Sequence, residues 1–170
     1  MAGIDESAKG VLKLNTGLAQ EAVHYVQSKM TVGASNKIPD VLGSLGMSLL
    51  CVRAERSVTD DFPSNRMLPY LRLVAAAAEN VGCGNCGEQS ADAFIYLFDK
   101  GVRPLDWAAL QDPGDHAFVV IDRDASSNET NPATWGSTAV VCDPWRGEVY
   151  RPDFITRTWR YKPYSIFRAD

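Results

Sequence analysis

A surplus of basic charge is missing from this chain. Its 17 lysines and arginines against 21 acidic residues leave a net charge of −4 and an isoelectric point near 5.2. Such a protein has no cationic surface with which to displace counterions from nucleic acid, so nucleic acid is not an expected partner. Long apolar runs are missing too: none approaches the roughly 20 residues needed to cross a bilayer, so no membrane span is expected. The start, Met1-Ala2-Gly3-Ile4-Asp5-Glu6, has neither the basic nor the apolar stretch of a Sec-type signal peptide. Gly3 stands one place too late for N-myristoylation, and the C-terminal Phe167-Arg168-Ala169-Asp170 offers no cysteine to prenylate. The expectation is a soluble protein made in a cytosol, with export by a route that needs no cleaved signal left open.

Cysteine and histidine are scarce. Four cysteines (Cys51, Cys83, Cys86, Cys142) are too few at 170 residues for a disulfide scaffold, and reduced thiols are expected. The two histidines are His24 and His116. What is present is an ordinary globular composition, 45% hydrophobic and 22% charged. The length suits a single domain, residues 1–170, able to bury a core without metals or crosslinks.

Apolar periodicity predicts a mostly helical part over 1–81. Leu18, Ala22, Tyr25 and Val26 share a face of a helix ending near Met30. Pro39-Asp40 suit the start of another, over 41–52, and the polar stretch 57–65 reads as a loop. Pro69 opens a further helix, with Leu71, Val74, Ala75 and Ala78 inward and Asn80 and Gly82 as its stop. A central helix over 87–100 buries Ala93, Phe94, Leu97 and Phe98 and closes at Gly101. The texture then changes. Residues 117–121 and 138–142 are β-branched runs typical of strands, separated by a polar loop, with later strands over 148–150 and 164–167. Helices first and strands last predict an α+β domain with an antiparallel sheet in its 82–170 portion.

The stretch Gly82-Cys83-Gly84-Asn85-Cys86-Gly87-Glu88-Gln89-Ser90 places Cys86 at the first turn of the central helix. A helix N-terminus and a nearby imidazolium favour the thiolate, the form that attacks carbonyls. The free N–H groups of the same turn, with Asn85 and Gly87 on either side, suit an oxyanion hole. Gly82, Gly84 and Gly87 let the backbone turn sharply and approach a substrate. His116 opens one strand and Asp143 closes another, so neighbouring strands would set the carboxylate against the ring and leave the ring's other nitrogen to Cys86. Trp145 would cover the His–Asp contact and line the substrate site. His24, mid-helix, is the rival base and reads better as a surface or core-edge residue.

Gly-Asn-Cys-Gly-Glu-Gln-Ser before a helix, Asp-His-Ala-Phe-Val-Val-Ile and Val-Cys-Asp-Pro-Trp together resemble the papain-like toxin and effector superfamily of bacteria. The resemblance covers about 82–150. It implies a papain-like fold, Cys86 as nucleophile, His116 as base and Asp143 as orienting acid. It also implies action on a target-cell protein after delivery by a specialised secretion system, as a glutamine deamidase or a cysteine protease. The small chain and unfamiliar helical half favour the deamidase. The pattern departs from papain in lacking an oxyanion glutamine upstream of the nucleophile, where Asn80 and Asn85 are the alternatives.

Other readings stand beside it. Buried free cysteine, a strand histidine and a turn-forming Asp-Pro would account for the three residues without catalysis, in a non-enzymatic binding module. Cys83-Gly84-Asn85-Cys86 is a C-x-x-C of redox type, although helices rather than a βαβ unit precede it, and a reversible Cys83–Cys86 disulfide would silence the nucleophile. Cys51, Cys142, His24 and His116 form no second short-spaced pair for zinc, so neither metal nor cofactor is expected. The C-terminal Arg151, Arg157, Arg160, Lys162 and Arg168, mixed with Phe154, Trp159, Tyr161 and Tyr164, form either a grip for an acidic protein or simply the last strands.

Overall fold

A computed structural model describes residues 5–59 and 66–170. Helices come first: α1 (Glu6–Lys29), α2 (Ile38–Gly43), α3 (Met47–Thr59), α4 (Met67–Val81) and α5 (Cys86–Asp99). The strands β1 (Leu105–Leu110), β2 (Ala117–Ile121), β3 (Val140–Asp143), β4 (Glu148–Tyr150) and β5 (Pro163–Ala169) follow, with a short α6 (Asp153–Thr158) before β5. The strands form one antiparallel sheet in the order β4-β3-β2-β1-β5. The chain is therefore α+β, as its patterning predicts.

Alternation along the strands divides the interior. Trp107, Val119, Ile121, Val140 and Cys142 face the helices, packing with Ala19, Val23 and Val26 of α1, Val74 and Ala78 of α4, and Phe94 and Leu97 of α5. Ala108, Phe118, Val120 and Val141 face the other way, onto Trp135 and Ile155. Helix α5 lies between α1, α4 and the sheet, and most of its residues are buried. Its N-terminus is thereby fixed by packing rather than left at a mobile surface.

Several sequence expectations change. The apolar segment over 41–52 is two helices, broken at Ser44–Gly46, where Leu45 and Gly46 take positive φ of 52° and 83°. Residues 57–59 of the expected polar loop complete α3, and 60–65 lie outside the described residues. Strand β1 had no clear signal. The cysteines differ most: Cys51 and Cys83 are joined in a disulfide, with Cα atoms 6.1 Å apart, while Cys86 and Cys142 are free and buried. The expectation of uniformly reduced thiols is corrected accordingly.

Candidate active site

The register of β2 and β3 brings the site together. Pairing of Val119 with Cys142 carries Asp143 to the level of Phe118, two residues from His116. The two side chains then meet, His116 Nε2 lying 2.7 Å from Asp143 Oδ2, with both residues buried. The carboxylate is fully engaged: Tyr150 Oη–H donates to Oδ2 at 2.9 Å and Arg146 N–H to Oδ1 at 3.1 Å. Nδ1 of the ring is not engaged by Asp143, and Cys86 is near enough to act on the charge of the ring.

Cys86 is the first residue of α5 and 7% exposed. Gln89 N–H donates to Asn85 O, so the N–H groups of Cys86 and Gly87 lie ahead of the first helical donor, available to a developing oxyanion. Glu88 accepts from Asn85 N–H at 2.8 Å, one arm of a capping box, and is held in turn by Arg56 at 2.8 Å. A Cβ on Gly84 would stand 2.7 Å from Glu88 Cβ, so glycine is needed there for the cap. Gly82, at φ 75°, ends α4, while a Cβ on Gly87 would meet nothing within 4 Å. Of the three glycines, only Gly87 is free for the approach to substrate expected of them all.

The Asn85 side chain is engaged with the 35–36 loop. Its Oδ1 accepts from Ser35 N–H at 2.9 Å and Asn36 N–H at 3.3 Å, and its Nδ2 donates to Ser35 Oγ at 3.0 Å. It clamps that loop against the nucleophile turn. Asn80 is exposed near the end of α4. Cys83 is bound to Cys51, so the expected Cys83–Cys86 exchange pair is absent from this arrangement. His24 is exposed on α1.

Burial pulls the His116 pKa down, but Asp143 and then Cys86 outweigh it and raise the value to about 9. At neutral pH the ring is thus an imidazolium beside Cys86. Burial first, and then the Asp143 carboxylate, keep the Tyr150 hydroxyl protonated and donating. Trp159 stacks on the imidazole with centroids 4.7 Å apart, and Trp145 meets it edge-on at 5.4 Å. Trp145 therefore borders His116, partly exposed, and its indole N–H donates to Asn36 Oδ1 at 2.8 Å.

Tyr150, expected in a strand, Trp159, expected in the C-terminal basic stretch, and Asn36 have no place in the site on the sequence alone. Tyr150 sits in a three-residue strand beside Asp143, and only the Asp-Pro-Trp turn five residues upstream hinted at that hairpin. In the C-terminal basic stretch, Arg151 donates to the Ala139 and Gly136 carbonyls, Arg157 pairs with Asp153 and Arg168 with the buried Asp106. Arg151 and Arg168 are thus held within the fold, whereas Arg157 stays exposed. Among the described residues no cluster of three His, Cys, Asp or Glu side chains is arranged to hold a metal, and no helix is long and apolar enough to cross a membrane.

Comparison with family models, curated proteins and solved structures finds no match to this chain.

Proposed function

We propose that the chain is a papain-like thiol hydrolase acting on a protein amide, with a glutamine deamidase-type effector as the favoured form. The observation that carries the reading is the buried His116 ring, bonded to Asp143 at 2.7 Å and facing Cys86 at a helix N-terminus. In this reading Cys86 sulfur attacks the amide carbon, and the N–H groups of Cys86 and Gly87 hold the oxyanion. His116 delivers its proton to the departing nitrogen as the C–N bond breaks, leaving a thioester on Cys86. The neutral ring then takes a proton from water, the resulting hydroxide cleaves the thioester, and the product acid and free thiol are released. Ammonia as leaving group makes the enzyme a deamidase, and a main-chain amine makes it a protease.

The Cys51–Cys83 disulfide adds support for export, since such bonds persist in oxidising compartments. Delivery of a cytosol-made chain to a target cell by a specialised secretion system is the route that the reading implies. Two measurements test the chemistry. Iodoacetamide at pH 6 should alkylate Cys86 rapidly while Cys142 stays inert, and His116→Ala should slow the Cys86 reaction by at least tenfold. Proteins from target cells expressing the wild type, compared with Cys86→Ala, should gain about one mass unit per modified glutamine, whereas fragments would mean proteolysis. Equal sluggishness of both thiols, with no modified protein, would leave a binding module.

A further inference from the structure

The α2–α3 hairpin carries a surface for which the thiol chemistry has no use. Ile38, Leu42, Leu45, Met47, Leu49 and Leu50 are each exposed by 51% to 93%. Six apolar side chains this open sum to several hundred Å², on the order of the ~800 Å² one partner gives to a standard interface. Leu45, the most exposed at 93%, sits at φ 52°, a backbone region that glycine or asparagine fills at less cost. Neither its own backbone nor its own fold accounts for a leucine there.

We propose that this face is covered by the same face of a second copy of the chain, in a two-fold dimer. From Ile38 to Val52 the only charged residue is Asp40, and its carboxylate is turned inward to accept from Ala34 N–H at 2.8 Å. An uncharged aliphatic surface is self-complementary across a two-fold axis, with no like charges to oppose. Transient interfaces are about as polar as the rest of a protein surface, and homodimer interfaces are more apolar. Helices that lie in a membrane surface carry a polar face rich in Lys or Arg, and 38–52 contains neither. Lys37 and Arg53, the next residues at either end, fall at the rim, where each meets a copy with net charge −4. Lys37 Nζ also lies 4.8 Å from the Trp145 ring centroid, so the rim runs to the wall of the candidate cleft.

Sedimentation equilibrium at micromolar concentration tests the dimer without reference to activity. The wild type should show twice the 18.6 kDa chain mass, and Leu45→Asn combined with Leu50→Asp should halve it while the far-UV spectrum is kept. In a Cys86→Ser background, Leu45→Cys should crosslink two copies on oxidation, whereas Leu14→Cys, exposed on α1, should not. A wild type of single-chain mass would overturn the proposal, whether or not it binds phosphatidylserine vesicles. So would a dimer that the double variant leaves intact, or equal crosslinking at Leu45→Cys and Leu14→Cys.

Discussion

His116 is held in its charged form by two groups that the unfolded chain does not bring to it. Its pKa rises from 6.5 to about 9 in the fold. A raised cation pKa stabilises the folded state fully below pH 6.5, and that stabilisation is lost as pH rises through 9. The expected loss is on the order of 3 kcal/mol, measurable as falling urea midpoints between pH 6 and 9.5. Asp143→Asn should flatten most of this slope, because the carboxylate is the larger of the two raising influences. The three residues of the contact were legible in the sequence from their places at element ends. Their supports were not: Trp159 stacks on the ring from a segment with no apolar period, and Tyr150 reaches Asp143 across a hairpin that only the β3–β4 pairing defines. Asn85 is the opposite case. An amide beside a nucleophile suggests an oxyanion donor, but residue type cannot tell that Nδ2 also donates to Ser35 Oγ while Oδ1 accepts from the Ser35 and Asn36 amides.

Among the elements, α5 concentrates the constraints. Its first turn carries Cys86, its cap is closed by Glu88, and Glu88 is gripped by Arg56 of α3. The Cys51–Cys83 disulfide ties that same helix to the loop leading into α5. Closing a loop of 32 residues restricts the unfolded chain, and removing such a bond costs about 3–4 kcal/mol. Cys51→Ser should therefore lower stability by that order, read as a reduced urea midpoint. It should also slow Cys86 alkylation, because α3 would then hold the turn through Arg56 alone. The disulfide could not be read from spacing, since four cysteines allow several pairings and only the fold selects one. Helices α4 and α5 were legible because their apolar periods and closing glycines agree. Strand β1 was not: Leu-Asp-Trp-Ala-Ala-Leu has no β-branched residue, and it becomes a strand because β2 and β5 pair on either side. The α2–α3 break escaped notice although Gly43 and the left-handed Gly46 mark it, because Leu45 between them continues the apolar run.

Across the whole molecule, a second titrating cluster lies far along α5 from the thiol. Asp92 of α5 is almost fully buried, and faces Glu79 of α4, with Tyr25 and Lys29 of α1 completing the group. Tyr25 Oη–H donates to Glu79 Oε1 at 2.6 Å and Lys29 Nζ lies 3.4 Å from Glu79 Oε2. Asp92 Oδ2 has no donor, so the carboxyl satisfies itself by keeping a proton to share with Glu79. Burial first, and then the Glu79 charge, raise the Asp92 pKa from 3.8 to about 8. The unfolded chain loses this proton near pH 4 and the folded one near pH 8, so stability falls across that window as pH rises. With His116 acting from 6.5 to 9, Asp92 and His116 work in the same direction. Glu79, raised by burial but lowered overall, chiefly by the Tyr25 hydrogen bond, instead loses its contribution as pH falls below the ordinary carboxylate range. The expected stability maximum is therefore mildly acidic. Asp92→Asn isolates the first contribution, because a carboxamide donates to Glu79 as the protonated acid does but never ionises. It should leave stability at pH 4 within about 1 kcal/mol of wild type and raise it at pH 8 by on the order of 5 kcal/mol. Urea unfolding at the two pH values checks this: parallel profiles for variant and wild type would mean that Asp92 is already ionised in the fold.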